Sequence, residues 1–141
     1  MRLYQILKED HRKIKMTGLQ QFVDIMRDFL PLAMEELKIK ELPHIRLEKY
    51  ISDSSQPTFG KFVHTENVIH LGIENRHPLD VMRTLAHELT HFKQGRENRL
   101  NDTSGQTGSP IENEAHEVAG IIMRNFGKRY PHYFTDDPII L

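Results

Sequence analysis

The first long apolar pattern runs from residue 19 to residue 37, where apolar side chains recur at intervals of three and four. This spacing places them on one face of a helix. The face consists of Leu19, Phe22, Val23, Met26, Phe29, Leu30, Ala33 and Leu37. Thr17 and Gly18 are typical of a helix cap, and Pro31 is expected to kink this helix or to split it in two. We expect the face to pack against a sheet rather than to bind a partner.

The apolar period changes to two between Pro43 and Ile73, which predicts β-strands. Ile45, Leu47 and Ile51 alternate with polar residues, and residues 53–57 are rich in turn formers. A short β-prone segment follows at residues 59–63, and a third alternating segment carries Ile69, Leu71 and Ile73. The sequence therefore predicts three strands after the first helix.

Helical spacing returns after His77 and Pro78, which together are typical of a helix start. The apolar face of this second helix consists of Val81, Met82, Leu85, Leu89 and Phe92, and Gly95 is expected to end it in a left-handed conformation. A third helical pattern begins at Ser109. The order α–β–β–β–α–α predicts an α+β fold in a single domain over residues 1–141.

The remaining segments are predicted to be connections or surface. Residues 8–15 carry mixed charges, which indicates a solvated face or a turn, and residues 96–109 are mostly small and polar. Residues 96–109 would connect the second and third helices as a mobile loop, either as a passive connector or as a gate beside a site. Asn101 opens a formal glycosylation sequon, which we interpret as ordinary loop sequence because no export signal precedes it.

Composition excludes several classes of protein. The 141 residues carry a formal net charge of −1 and a pI near 6.8, which gives no reason to expect nucleic-acid binding. There are no cysteines, which excludes disulfides and cysteine-based zinc sites. No apolar run approaches the length of a membrane span or a signal peptide. We therefore expect a cytoplasmic protein that does not bind membranes.

The segment from His87 to His91 reads His-Glu-x-x-His within the second helix. Residues four apart lie on the same face of a helix, so His87 and His91 can offer two imidazole nitrogens to one metal ion. Glu88 is offset by one residue, where its carboxylate can reach a water molecule in the metal's open position. Composition alone would produce roughly 0.05 such matches in this chain, so the motif needs support from its context.

A third ligand is expected on the third helix, because a catalytic zinc ion normally has three protein ligands and one open position. Residues 109–119 contain four candidates, namely Glu112, Glu114, His116 and Glu117. Glu112 has a competing role, since Ser109 and Glu112 also form the pattern of a capping box.

Together these two motifs resemble the gluzincin metallopeptidases, and most closely the small ImmA/IrrE-type peptidases. The resemblance covers residues 67–126, and Lys93 departs from it where relatives carry an apolar residue. Alignment on Ala115 implies that Glu112 is the third ligand, with His116 as a donor that orients a ligand. Glu114 would be the ligand under a shifted alignment, and a histidine ligand would move the resemblance toward the SprT-type metalloproteases. The resemblance implies a zincin-like fold and one zinc ion per chain.

The predicted function is zinc-dependent hydrolysis of peptide bonds in a protein substrate, with Glu88 as the general base. A non-catalytic zinc-binding module for protein interaction is the main alternative. In such families the last strand before the metal helix borders the cleft, here residues 67–73, and His70 could face it. Tyr130 and His132 are the only downstream candidates for stabilising an oxyanion, although packing in the core explains these aromatic residues equally well. The substrate and the oligomeric state do not follow from the sequence.

Overall fold

The structure is a computed structural model that describes residues 13–51, 58–101 and 108–141. Its elements are α1 (Lys13–Leu37), β1 (His44–Glu48), β2 (Gly60–Val63), β3 (Val68–Gly72), α2 (Pro78–Arg96), α3 (Pro110–Arg129) and α4 (His132–Thr135). This order confirms the predicted α+β class with three strands and adds the short helix α4. The turn predicted at residues 53–57, most of the run at residues 8–15, and residues 102–107 of the 96–109 connection lie outside the described residues.

Helix α1 begins earlier than predicted, and Pro31 does not split it in two. Thr17 lies inside the helix, which already includes Lys13, so the predicted cap at Thr17 and Gly18 is wrong. Pro31 also lies inside, and α1 continues through it to Leu37 as one helix. A proline leaves one carbonyl without its usual partner but does not prevent the helix from continuing when tertiary packing supports it.

The apolar face of α1 forms much of the core. Its residues Phe22, Met26, Phe29 and Ala33 are buried. Helix α1 packs chiefly against α2 and α3, and the same core cluster includes the inward side chains of β1 and β3. The rings of Phe29 and Phe126 meet edge to face with centroids 5.2 Å apart, an arrangement favoured by the charge distribution of aromatic rings. Helix α1 thus supports both helices that carry the candidate ligands.

The sheet has the order β1–β3–β2. Strand β3 pairs in parallel with β1 and antiparallel with β2. Both edges of β3 are therefore occupied, and helix α2 packs against both β2 and β3. The prediction that residues 67–73 border the cleft is wrong, because β3 is the central strand of the sheet and none of these residues lines the cleft.

Helix α2 also ends differently from its prediction. Gly95 lies inside the helix, which continues to Arg96, and the left-handed residue is Asn98, with φ of 57°. A Cβ atom on Gly95 would lie 2.7 Å from Nδ1 of His64. Glycine is therefore needed here because a neighbouring ring packs against the helix, and not because the helix stops.

Candidate metal centre

Helix α2 begins as its sequence predicts. His77 is the N-cap residue with extended backbone geometry, and its Nδ1 accepts a hydrogen bond of 3.0 Å from the backbone N–H of Leu79. Pro78 and Asp80 occupy the first turn, where a missing N–H and a negative charge are both well tolerated. This start sets the helical phase that directs His87, Glu88 and His91 toward α3.

Helix α3 is capped by Ser109. The Ser109 hydroxyl oxygen accepts a hydrogen bond of 3.1 Å from the backbone N–H of Glu112. The carboxylate of Glu112 lies instead against the imidazoles of His87 and His91. A capping box would direct the Glu112 side chain back to the Ser109 N–H, whereas here only the Glu112 backbone takes part in the cap and the side chain faces the histidines.

Three side-chain groups converge on one point between α2 and α3. Oε1 of Glu112 lies 2.7 Å from Nε2 of His87, and Oε2 lies 3.1 Å from Nε2 of His91. The two Nε2 atoms are 3.1 Å apart. Ligand atoms of a tetrahedral zinc ion are separated by about 3.3 Å, which is close to these distances. His87, His91 and Glu112 are therefore near enough to one another to bind a metal ion.

The protonation of the site suits metal binding. Burial lowers the pKa of His87 below its usual value, and the nearby His91 and His116 lower it further, while the Glu112 carboxylate opposes this shift. A lowered pKa keeps the imidazole neutral at physiological pH. Only the neutral form has a nitrogen lone pair available to a metal ion.

Gln94 fixes the orientation of His91. This fully buried amide donates one hydrogen bond of 3.1 Å from Nε2 to the carbonyl oxygen of Ile111 and another to the carboxylate of Glu114. Because both acceptors require the NH2 end of the amide, its Oε1 must face Nδ1 of His91, 2.8 Å away. That oxygen can only accept, so Nδ1 of His91 carries the proton and Nε2 presents a lone pair to the site.

The other carboxylates and the histidine of the predicted ligand region are placed differently from Glu112. Glu114 forms a two-pronged ion pair with Arg99, at 2.6 and 2.9 Å, which lowers the pKa of Glu114. The Glu114 carboxylate is therefore held by Arg99 and Gln94. It does not belong to the triad of His87, His91 and Glu112. His116 is 70% exposed, and its Nε2 lies 3.4 Å from Oε1 of Glu112, while Glu117 is exposed. Among these four candidates, Glu112 is the one grouped with both histidines.

Replacing Gln94 with leucine is expected to weaken metal binding about tenfold or more, because His91 loses the acceptor that holds its tautomer. The change also leaves the Ile111 carbonyl without this buried donor, which should cost about 1–3 kcal/mol of folding stability. Competition with a chromophoric chelator measures the affinity, and thermal unfolding measures the stability. Replacing exposed Asn113 with leucine is the control, and an equal loss of affinity there would contradict this role for Gln94.

Glu88 is held between α2 and β2. Its side chain is buried, with 8% of the residue exposed, and the backbone N–H of Phe62 donates a hydrogen bond to the carboxylate. A Cβ atom on Gly60 would lie 2.4 Å from Cγ2 of Thr84, so the absence of a side chain at residue 60 allows β2 to lie this close to α2. Burial, aided by the charge of Glu112, raises the pKa of Glu88 to about 8, against the smaller opposing effect of the Phe62 hydrogen bond.

This raised pKa predicts how stability depends on pH in metal-free protein. Between the usual value of 4.5 and about 8, the unfolded chain loses the Glu88 proton while the folded chain retains it. Folding stability should therefore fall as pH rises through this window, by up to about 5 kcal/mol. Glu88→Gln remains neutral and can still accept from Phe62, so its stability should exceed that of the wild type increasingly from pH 5 to pH 8. Urea unfolding of both proteins at several pH values tests this, and parallel pH profiles would contradict it.

A cleft of about 390 Å³ opens beside the triad, which is within the range of sites that bind small ligands or a short peptide segment. It is lined by residues 58–60 at the start of β2, by α2 residues that include His87 and Glu88, and by α3 residues that include Glu112. The Gly72 N–H donates to the Phe59 carbonyl. Because the backbone groups of an antiparallel strand point alternately toward and away from its partner, those of Gly60 and Phe62 point away from β3. The strand that borders the cleft is therefore β2.

The remaining predicted site residues lie elsewhere. Tyr130 packs against the core, with its ring 5.2 Å from that of Phe126. His132 stacks near Tyr133 and lines a separate cavity next to α1. His70 lies 2.8 Å from Oε1 of Glu48 through its Nδ1. None of these three side chains lines the cleft described above.

Gln94 and the Phe62 N–H are parts of the site that sequence analysis missed. Gln94 follows His91 by three residues, a spacing that places both on one helix face, and this signal was available in the sequence. The contact between Phe62 and Glu88 depends on how β2 packs against α2, which no local pattern encodes.

Comparison with protein families, curated proteins and solved structures gives no match to this chain. The site must therefore be interpreted from its own geometry. Among the helices that the structure describes, none combines the length and apolar character needed to cross a bilayer.

Proposed function

We propose that this protein is a zinc-dependent metallopeptidase. The observation that carries the proposal is that a buried carboxylate, Glu88, lines the same cleft as the convergent side chains of His87 and Glu112. Two histidines one turn apart and a glutamate from a second helix are also the ligand order of the gluzincins, which the sequence motifs resemble. Three protein ligands leave one position of a tetrahedral zinc ion open, as catalysis requires.

Each residue of the site has a separate role in the proposed reaction. Zinc, when bound, would act as a Lewis acid that makes a water molecule nucleophilic near neutral pH. Glu88 would accept a proton from the water molecule that attacks the peptide carbonyl, and would later deliver a proton to the leaving amine. The pKa of Glu88 in metal-free protein is about 8, and a nearby cation would lower it from this raised value toward neutral pH, where a general base is most effective. Gln94 keeps His91 in its ligand tautomer.

The kind of substrate that fits this cleft is a protein with an extended segment. Strand β2 directs the backbone of Gly60 toward the cleft, where a substrate strand can lie alongside it. The cleft volume of about 390 Å³ leaves room for few substrate side chains. Binding energy must therefore come mostly from backbone pairing. Short flexible peptides should bind measurably but more weakly than a protein that presents an extended segment.

Selective cleavage is the expected outcome of the functional test. Zinc-loaded protein is incubated with casein and, separately, with a lysate of its native host, with Glu88→Gln as the matched control. We expect few cleavage products, confined to one or a few host proteins and absent with Glu88→Gln. Rapid degradation of casein at many sites would contradict the selectivity. The absence of Glu88-dependent cleavage in both mixtures would favour a non-catalytic zinc-binding module that recognises a protein partner.

A further inference from the structure

Arg83 is a cation at the mouth of the cleft. It lies one helical turn before His87 on α2, it is exposed, and it lines the cleft together with Thr84 and Phe59. Within residues 13–51, 58–101 and 108–141, no side chain forms an ion pair or hydrogen bond with its guanidinium. The charge of Asp80, three residues earlier, acts on the guanidinium of Arg76.

The charges around the cleft leave Arg83 uncompensated. Two carboxylates line the cleft, those of Glu88 and Glu112. Glu88 is buried and accepts a hydrogen bond from the Phe62 N–H, and Glu112 faces His87. A divalent metal ion would balance these two negative charges. Among the cleft residues that the structure describes, Arg83 is the only lysine or arginine, so its positive charge remains for the substrate.

We infer that the preferred substrate carries a carboxylate on the Arg83 side of the scissile bond. This inference rests on the proposed peptidase function and adds a substrate class to it. The guanidinium is a fork of donors that matches a carboxylate, and its charge at the mouth of the cleft acts on both the affinity and the association rate of the substrate. The carboxylate belongs either to an acidic side chain or to the C-terminus of the substrate.

Peptide binding to zinc-loaded Glu88→Gln protein tests the inference without requiring turnover. The probes are eight-residue peptides blocked at both ends, with a single Glu, Gln or Lys at each position in turn, and an all-neutral peptide with a free C-terminal carboxylate. One Glu position, or the free C-terminus, should bind about 5–10 times more tightly than its neutral counterpart at low salt, and less so at high salt. The blocked and free peptides distinguish the two sources of the carboxylate.

Substitutions at residue 83 assign the preference to this arginine. In the Glu88→Gln background, Arg83→Gln should remove the preference and Arg83→Glu should reverse it toward the Lys peptide. Arg124→Gln is the matched control, because Arg124 is an exposed arginine on α3 that does not line the cleft. Equal binding of acidic, neutral and basic peptides, or no binding of any of them, would overturn the inference.

The outcomes separate this inference from the function on which it rests. Glu88-dependent cleavage by the wild type without any preference for a carboxylate would overturn the role of Arg83 and retain the peptidase. Binding that prefers acidic peptides and depends on Arg83, without cleavage of any of them by the wild type, would retain the recognition and contradict the peptidase.

Discussion

Glu88→Gln is expected to abolish peptide hydrolysis while the protein still binds one zinc ion. The substitution removes the general base but keeps the shape of the side chain and an acceptor for the Phe62 N–H. Glu88 is not one of the three converging ligands, so coordination should be unchanged. Loss of a general base, together with the nucleophile that it activates, should lower kcat/KM by about 1,000-fold or more. Cleavage of the substrate found in host lysate gives the rate, and elemental analysis gives the zinc content.

Two results would contradict this assignment for Glu88. Loss of zinc would indicate that Glu88 is a ligand, and cleavage at the wild-type rate would place the base elsewhere. Thr90→Val is a matched control on the same helix, because the Thr90 hydroxyl donates only to the Ala86 carbonyl of its own helix. It should leave both activity and zinc content unchanged.

His87→Ala and His91→Ala are each expected to remove bound zinc. Each substitution deletes one of three converging ligands, and the remaining two cannot hold the ion against a competing chelator. Affinity should fall by about 1,000-fold or more in either variant. Circular dichroism should remain helical, because both residues lie on a helix whose buried apolar face is intact. Chelator competition and elemental analysis measure the loss.

Histidines outside the triad provide the controls. His70→Ala removes an imidazole that is hydrogen-bonded to Glu48 and does not line the cleft, so zinc binding should be unchanged. His116→Ala removes a largely exposed ring beside Glu112 and should weaken binding only slightly. A loss as large as that of His91→Ala in either control would show that the ligand set is wrong.

The local features of the fold and of the site could be predicted from the sequence. The spacing of His87 and His91 fixes their common helix face, and the cap residues His77 and Ser109 set where both helices begin. The apolar stripe of α1 and the three strands also follow from periodicity, which is a local property of the chain. The choice of Glu112 over Glu114 came from a resemblance between motifs, and the structure brings Glu112 to the histidines.

The predictions that failed depend on contacts between distant segments. The alternation of residues 69–73 predicts a strand but not its neighbours in the sheet. The sequence therefore predicts that β3 borders the cleft, whereas β2 occupies that edge of the sheet. Gly95 resembles a helix stop until the ring of His64 is seen to pack against it. The aromatic residues Tyr130 and His132 carry no spacing signal, and packing directs them away from the cleft.

The zinc content of the wild type, Glu112→Gln and Glu117→Gln, purified without chelators or nickel, tests the central claim most directly. The structure groups Glu112 with both histidines, whereas Glu117 is an exposed glutamate farther along the same helix. The Glu112→Gln variant keeps the backbone bond to Ser109 but replaces an anionic ligand with a neutral amide. We predict about one zinc ion per chain in the wild type and in Glu117→Gln, and markedly less in Glu112→Gln. A wild type without bound metal, or a Glu112→Gln variant that retains zinc as the wild type does, would contradict the account.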